Sequence, residues 1–592
     1  MEQKIEQLDS CNSLHGDLLL PHKLNKQHQL EEYTIESCRQ DQKDVLMYLL
    51  KHLKQWLDTA QSPKLLKEYE PVRMTLCGVA GSGKSTLIKT LVTTVRKITG
   101  KTNSVYVCGP TGLAAFNAGG ETCHRLFNIP SKVTNCTPEG IARRNLMTKL
   151  ENTIMLIVDE RSMLSAMTLG TMEAFCRQGA FKGTKSEQDW GGIPIIILVG
   201  DDFQLPSIDE GAFYSLGKKS NKYRTPIEHE LIARGMEQFR IFGQNVMSLE
   251  QTQRVLPGQM ELQRTLNGVR GDSEEQLSKA DAEHLVHLHI DNRFEFTPED
   301  IQHIKKDALF LFATVDAKNQ HNQQALEEIN TPDNPVARIK AQTRKGKDDL
   351  PVRNMDHYDN ERTPPITYLA RNALVQLTGT NPCPKWGLYH GARGKVLDIV
   401  YHPDSHPPND LPLYVLVDMP QYCGPPFIAD APSVVPIAPI KVFCNKNKCC
   451  YRTCVPLRLA FAQTIHTFQG QNAGPVEEGQ PPNAIQRIIC DPGTRRFEGG
   501  CVGLFYTLLS RITTFGNPDD KLSSAIYFTG SNMNTARVLS ITKNEKGDTY
   551  AMAKQRQLYV KYLQEHKQSL NMTQDEQIKL IQWYNNKIAL LD

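Results

Sequence analysis

A chain of 592 residues, 40% apolar and 22% charged, is long enough for about three or four globular domains and too rich in apolar residues to be disordered along its length. Its 68 basic and 65 acidic side chains leave a formal charge of +3, which excludes a basic tail as a source of nucleic-acid affinity and would require a local groove instead. No apolar run approaches a membrane span, the opening "MEQKIEQLDS" is too acidic and polar for a signal or transit peptide, and fifteen scattered cysteines read as reduced thiols, so a cytosolic or nuclear protein is expected.

The first motif in chain order is "MTLCGVAGSGKSTLIKTLVTTV" at 74–95, a short apolar run, a glycine-rich turn and a helical pattern. It fits the phosphate-loop pattern G-x-x-x-x-G-K-[ST], and that context of strand, loop and helix is the one the chemistry needs. Backbone N–H groups of Gly78, Val79, Ala80, Gly81, Ser82 and Gly83 would cradle the phosphates, with Ser85 and Thr86 opening the helix behind them. Lys84 would neutralise phosphate charge and the Ser85 hydroxyl would ligate magnesium. Next, the strand "SVYVCG" leads into "GPTGLAAFNAGGETCHRLF" at 109–127. Its small residues permit close approach of a backbone, and Thr111, Asn117, Thr122 and His124 offer groups that bond phosphates without reading sequence.

A second apolar run, "TIMLIVDERSM" at 153–163, ends in Asp159 and Glu160, which can divide the labour of a hydrolase. Asp159 would hold magnesium and Glu160 would orient and deprotonate the attacking water. A third, "IIILVGDDFQLPSI" at 195–208, ends in Asp201, Asp202, Phe203 and Gln204. Ligands sit beyond the carboxyl ends of buried parallel strands, so the Gln204 amide is a candidate γ-phosphate sensor. Equally, Asp201 and Asp202 can do no more than end the strand and cap a turn.

A phosphate loop alone is shared by kinases, GTPases and ATPases. "SLEQTQR" at 248–254 adds Arg254, and "LFYTLLSRITT" at 504–514 adds Arg511 after an apolar, strand-like run. Two arginines presented from a second domain would stabilise transition-state charge and make closure depend on the nucleotide. Residues 370–400 read as short strands with glycine turns. "FCNKNKCCYRTC" gathers Cys444, Cys449, Cys450 and Cys454 without the paired knuckles of a structural zinc site, so reduced thiols are expected there. From Thr549 the chain is helical in periodicity, with "TQDE" (Thr573 to Glu576) as a capping box.

The ordered set "GVAGSGKST", "GPTGLAAFNAGGETCHRLF", "VDERSM", "GDDFQLP", "LEQTQR", "LAFAQTIHTFQGQ" and "LFYTLLSRIT" resembles the petite-integration-frequency (PIF-type) DNA helicases, a RecD-like branch of the superfamily one helicases, over about residues 40 to 515. The resemblance implies an α/β protein with two RecA-like P-loop NTPase domains, a small SH3-like β insert in the second, and a helical C-terminal segment. The expected bounds are an N-terminal extension over 1–35, a first domain over 36–246 with a small pin insert near 128–150, a second over 247–370 and 455–545, the β insert over 371–454, and C-terminal helices over 546–592. It also implies ATP and Mg2+ as cofactors, single-stranded and forked DNA as partners, 5′ to 3′ translocation with unwinding, no membrane, roles in DNA repair, recombination and telomere maintenance, and a nuclear location with mitochondrion and cytosol as alternatives.

Carried over by position, Lys84, Asp159, Glu160, Gln204, Arg254 and Arg511 become the catalytic set, and Gly470 a further nucleotide contact. "CRQDQKDVLMYLL" resembles the adenine-reading segment, with Gln42 as the amide and Gln40 as the alternative. The strand contacts become Thr111, Gly112, Asn117, Thr122 and His124, and, from "TIHTFQG", Thr464, His466 and Gln469. One departure stands out: Thr467 and Phe468 replace the Lys and Ser usual in the family, trading a cation for an aromatic ring that could stack on a base. A nucleotide-gated, DNA-stimulated ATPase that does not unwind, for example of a mobile element, is the alternative reading. A small-molecule kinase or GTPase would leave Arg254, Arg511 and "TIHTFQG" without a role.

Overall fold

The computed structural model describes residues 33–60, 69–130, 133–180, 188–207, 224–270, 276–291, 295–345, 350–351, 364–379, 382–444, 450–475, 485–494, 501–530, 533–542, 548–570 and 572–589. The N-terminal extension expected over 1–35 lies almost wholly outside the described residues. Two compact units emerge: a first drawn from the described residues of 33–282, 501–511 and 535–589, and a second from those of 283–494 and 512–534. No described helix is long and apolar enough to cross a membrane.

In the first unit the strands β1 (Val72–Gly78), β2 (Val105–Gly109), β3 (Glu121–Thr122), β4 (Met155–Val158), β5 (Ile195–Gly200) and β6 (Val246–Leu249) form one sheet in the order β3-β2-β4-β5-β1-β6. Every neighbouring pair is parallel, with Val72 opposite Ile195, Met155 opposite Ile195 and Thr75 opposite Val246. Continuous aliphatic runs suit β4 and β5 because both faces of a parallel sheet are covered, and every residue of the two strands is buried. Alternation still decides which layer each side chain joins. Met155, Ile157, Ile195 and Ile197 pack with Leu46, Leu87 and Leu91 of helices Gln40–Thr59 and Lys84–Thr99. Leu156, Val158, Ile196 and Leu198 pack with Leu169 and Phe239 of helices Ala166–Ala174 and Pro226–Phe242 on the other side. The segment expected as a pin, 128–150, holds the helix Gly140–Leu150, whose Leu146 and Leu150 join this second layer.

The C-terminal segment belongs to the same unit. Residues 566–568 run parallel to β6, with Gln568 N–H donating to the Val246 carbonyl at 2.7 Å and Val246 N–H to the His566 carbonyl at 3.3 Å, so the open edge is covered. Helix Gln574–Ala589 starts with the Thr573 and Glu576 capping box and buries Leu580 beside the helix Gln40–Thr59 layer. Two expectations change here. The first sheet runs through Leu249 rather than stopping at 246, because β6 pairs with β1. Residues 501–511 cluster with the first unit rather than with the second domain, and they form a helix, Leu504–Leu509, instead of a strand-like run.

The second unit holds a four-stranded parallel sheet with Ala462–Thr464, Ala308–Phe312, Arg487–Asp491 and Ile526–Phe528 in that spatial order. A five-stranded antiparallel sheet follows the order Val434–Ile437, Tyr414–Asp418, Arg393–Val400, Leu374–Leu377, Leu457–Leu459, with buried Val375, Val396, Val415, Val417 and Leu457 as its core. A further four-stranded antiparallel sheet pairs Gln342–Lys345 with Cys450–Cys454. The β region therefore recruits residues on both sides of 371–454, because strand pairing over a hundred residues leaves no trace in local periodicity.

Candidate nucleotide and nucleic-acid site

The phosphate loop leaves β1 at Gly78 and enters the helix at Lys84. Gly81 and Gly83 take φ of 77° and 79°, a region that favours glycine, and a Cβ on either would also strike Arg254 or Gln42. Lys84 Nζ donates to the carbonyls of Gly78 and Val79 at 2.8 and 3.0 Å. Burial holds its pKa below that of a free lysine against the pull of Asp201, Glu160 and Asp159. Ser85 and Thr86 are exposed at the helix start. Gln42 braces this loop from behind: its Nε2 donates to the Gly83 carbonyl at 3.1 Å, and its Oε1 accepts from Arg39 N–H at 3.0 Å. The Arg39 guanidinium reaches the Ser82 carbonyl at 3.0 Å, a contact that the sequence does not announce. Gln40 instead bonds Asp44 on the helix surface.

Past β4, Asp159 is buried and its Oδ1 accepts from Glu160 N–H at 2.9 Å. Burial, reinforced by the Glu160 carboxylate, pushes the Asp159 carboxyl up to about 7. Glu160 has φ 53° and ψ 49°, a left-handed backbone that a glutamate adopts only where its surroundings enforce it. After β5, Asp201 accepts from the Tyr506 hydroxyl at 2.7 Å and from Phe203 N–H at 3.2 Å, and faces Arg270 at 3.5 Å. Burial would raise Asp201, but Arg270, Lys84 and the Tyr506 hydroxyl hold it below the usual carboxylate range. Asp202 is paired with the fully buried Arg161. Gln204 is buried, with Nε2 at 3.4 Å from Asp201 Oδ2.

Both expected arginines reach this cluster from within the first unit, which corrects the reading that a second domain presents them. Thr252 Oγ1 donates to the Ala80 carbonyl at 2.9 Å and Gln253 N–H to the Gly81 carbonyl at 2.7 Å, so the segment leaving β6 lies on the loop and delivers Arg254. Arg254 Nη1 donates to the Ser510 carbonyl at 2.5 Å, immediately before Arg511. The helix Leu504–Leu509 is buried at every position, and Thr507 Oγ1 accepts from Leu205 N–H at 2.9 Å, which anchors it to the loop after β5. Burial, with Arg511 alongside, pushes Arg254 down to about 9. Arg511 is 4% exposed, and its Nε is buried without a hydrogen-bond partner. Sequence reasoning missed Arg161, Arg270 and Tyr506. Arg270 lies over the rings of Phe203 at 4.6 Å and Tyr506 at 5.6 Å, but carries no motif that sets it apart.

In the same unit, Thr111 accepts from Ala114 N–H at 3.2 Å and caps the helix Gly112–Asn117. Thr122 accepts from Arg125 N–H at 3.2 Å and caps Cys123–Leu126, with His124 exposed beside it. In the second unit, Thr464 caps Ile465–Phe468, accepting from Thr467 N–H at 3.3 Å, while His466 is partly exposed and Gln469 is buried. Phe468 is 0% exposed, so it is a core residue and cannot stack on a base. Gly470 follows with φ 90° in that second unit. Cys444, Cys450 and Cys454 are buried free thiols, Cys449 lies outside the described residues, and among the described residues no group of three or more His, Cys, Asp or Glu side chains converges as a metal cage.

A glycine loop opening a helix at the end of an inner parallel strand, with a carboxylate pair on a nearby strand end, defines a P-loop nucleotide-binding protein. Residues 64–223 match the family model of the PIF1-like helicases. Over 134 residues it is 33% identical to the ATP-dependent DNA helicase RRM3 of Saccharomyces cerevisiae, which takes in 22% of this chain and 18% of the yeast protein. The chain therefore spans less than a fifth of that relative's length. It is 23% identical over 495 residues to the ATP-dependent DNA helicase Pif1 of Campylobacter jejuni, covering 79% of this chain and 92% of the other. The crystal structure of Bacteroides Pif1 bound to ssDNA superposes with a TM-score of 0.53 at 19% identity, over 84% of this chain and 96% of its own, a likeness of fold.

Proposed function

We propose that this chain is an ATP-dependent DNA helicase that moves 5′ to 3′ on single-stranded DNA and unwinds the duplex ahead. The observation that carries the reading is a convergence of buried charge that its neighbours only partly offset. Asp159 is pushed up to about 7 and Arg254 down to about 9, with Arg511 Nε buried and unpartnered close by. Acids and bases strained toward neutrality in one place are complementary to a ligand that carries both signs, as a triphosphate with a divalent cation does.

In this reading Lys84 and the loop amides would hold the phosphates, while Gln42, whose amide bonds the Gly83 carbonyl, supports the loop and is the candidate contact to the adenine. Ser85 and Asp159, a hydroxyl and a carboxylate, are the hard oxygen donors that magnesium takes, and the extra positive charge suits an acid raised by burial and by Glu160. Bound magnesium supplies charge neutralisation on the phosphates. Glu160 orients the attacking water and accepts its proton, Gln204 senses the γ-phosphate, and Arg254 and Arg511 stabilise the negative charge that develops.

The second parallel sheet is read as the second RecA-like domain, the five-stranded antiparallel sheet as the SH3-like insert, and the helices after 546 as the C-terminal segment. Thr111, Gly112, Asn117, Thr122 and His124 in one unit, and Thr464, His466 and Gln469 in the other, are the proposed contacts to single-stranded and forked DNA, which implies a nuclear site of action. The relatives' names as ATP-dependent DNA helicases support this reading. The test is steady-state ATP hydrolysis with and without a single-stranded oligonucleotide, beside a Lys84→Ala control, followed by strand displacement on 5′-tailed and 3′-tailed duplexes. Stimulation lost in the control, with displacement from the 5′ tail, is expected; DNA-stimulated hydrolysis without displacement would favour a nucleotide-gated DNA-binding ATPase. The lack of a cation among Thr464 to Gln469 other than His466 is the observation on that side.

A further inference from the structure

Arg161 has no part in the chemistry above, yet among the described residues of the first unit it is the most thoroughly enclosed arginine, at 0% exposure. It directly follows Glu160. Its Nη1 donates to Thr75 Oγ1 on β1 and to the Tyr559 hydroxyl, both at 3.2 Å, while its Nη2 pairs with Asp202 at the end of β5. The guanidinium also lies 5.7 Å from the centre of the Tyr559 ring. Gly200 lets this turn come so close, since a Cβ there would stand 2.9 Å from the Arg161 backbone nitrogen and Cβ. A guanidinium is a flat fork with fixed donor directions, so three acceptors on three elements fix the orientation of the turn that carries it. That turn also carries the left-handed Glu160.

Tyr559 lies on the helix Asp548–Glu565, and three residues earlier on the same face of that helix stands Arg556. Arg556 is 8% exposed; its Nη1 donates to the Phe203 carbonyl at 3.1 Å and its guanidinium lies 4.9 Å from the centre of the Phe203 ring. Phe203 immediately precedes Gln204. One helix, some 350 to 400 residues along the chain from both loops, thus grips the turn bearing the water-activating candidate and the turn bearing the γ-phosphate sensor candidate.

We propose that Tyr559 and Arg556 are positioning residues for ATP hydrolysis, holding Glu160 through Arg161 and Gln204 through Phe203, so that the C-terminal helix is part of the ATPase machinery. The inference rests on the ATPase reading given above. Neither side chain needs to touch nucleotide; their effect is on alignment, which matters for the chemical step more than for binding.

The test compares the full chain with Tyr559→Phe, Arg556→Ala and Arg556→Lys, measuring steady-state ATP hydrolysis at saturating single-stranded oligonucleotide. Active sites are counted by titration with a fluorescent ADP analogue, and Lys84→Ala runs in parallel. Tyr559→Phe, which removes one hydroxyl, is expected to lower kcat per counted site about tenfold while KM for ATP and the affinity for the ADP analogue stay within about twofold. Arg556→Ala should behave alike, and Arg556→Lys should recover most of its loss. Unchanged kcat in both Tyr559→Phe and Arg556→Ala, with wild-type hydrolysis that depends on Lys84, would overturn the proposal and leave the ATPase reading standing. A kcat loss that only mirrors lost ADP-binding sites would overturn it as well, reducing the helix to a structural prop. Should Tyr559→Phe fail to fold, the Arg556 pair decides by the same criterion. Wild-type hydrolysis no greater than that of Lys84→Ala would instead remove the ATPase reading itself.

Discussion

β4 and β5 end alike in sequence, each an aliphatic run closed by two acids, and yet the first acid of each pair is held differently, Asp159 pushed up and Asp201 held down. Against its burial, Asp201 is held below the usual carboxylate range by Arg270, Lys84 and the Tyr506 hydroxyl, whereas Asp202, although paired with Arg161, is still pushed up by burial. Asp159 has its neighbour's N–H on Oδ1 and a like charge beside it, and is pushed up to about 7. At β5 both acids have protein partners, as a strand-ending role requires. What separates the two strand ends is the supply of partners. A buried carboxylate can draw its partner from far along the chain, 41 residues away for Asp202 and 305 for Asp201.

Removing one acid from each pair should separate stability from activity. The largest effect is expected for Asp202→Ala, which strands the Arg161 charge in the interior and should cost about 3 to 5 kcal/mol in urea unfolding of the full chain. Converting both partners together, Asp202→Leu with Arg161→Met, should recover much of that loss, because an apolar pair of similar volume needs no compensation. Next in size is Glu160→Gln, expected to lower kcat for ATP about 100-fold or more while leaving the urea midpoint unchanged or slightly higher, since it removes a like charge from Asp159. A large stability loss in Glu160→Gln, or full stability in Asp202→Ala, would erase the distinction between the two strand ends.

The strands, the phosphate loop and the order of the motifs were legible because each is local: apolar runs, a glycine pattern and short spacings suffice for β1, β4 and β5. The compensating partners were not. In sequence, Arg161 is one of many arginines, and only Tyr559 near the other end of the chain, Thr75 on β1 and Asp202 on β5 make it a buried hub. The run "LFYTLL" reads as a strand from its apolar and aromatic content, but Gly503 with φ 87° starts a helix whose Tyr506 and Thr507 hydroxyls find partners after β5. Pairing of Gln342–Lys345 with Cys450–Cys454 was invisible for the same reason. Phe468 could not be placed from sequence because a ring beside polar residues looks the same whether it faces a ligand or the core, and the structure buries it.

A finer test lies at the compensated strand end. Tyr506→Phe deletes a hydroxyl that donates to Asp201 at 2.7 Å and accepts from Arg270 at 3.2 Å. Asp201 keeps its other donors, so the expected loss is about 1 to 2 kcal/mol in urea unfolding, less than for Asp202→Ala, where a buried charged partner of Arg161 disappears. A loss as large as that of Asp202→Ala would mean that the hydroxyl, not Arg270, is what compensates Asp201.

The smallest effect is expected at an ion pair that resembles these in composition but not in surroundings. Lys567 contacts Glu250 just beyond β6, with side chains 42% and 70% exposed. Water already solvates both charges, so a double-mutant cycle with Lys567→Ala and Glu250→Ala should give a coupling below about 0.5 kcal/mol that vanishes in 1 M salt, an ionic strength at which screening acts over roughly 3 Å. Neither change should release the C-terminal segment from β6, because the backbone bonds between Val246 and residues 566 and 568 hold it there. If the coupling survives high salt, the pair is shielded as Arg161 and Asp202 are, and charge compensation at the ends of this sheet depends on more than burial.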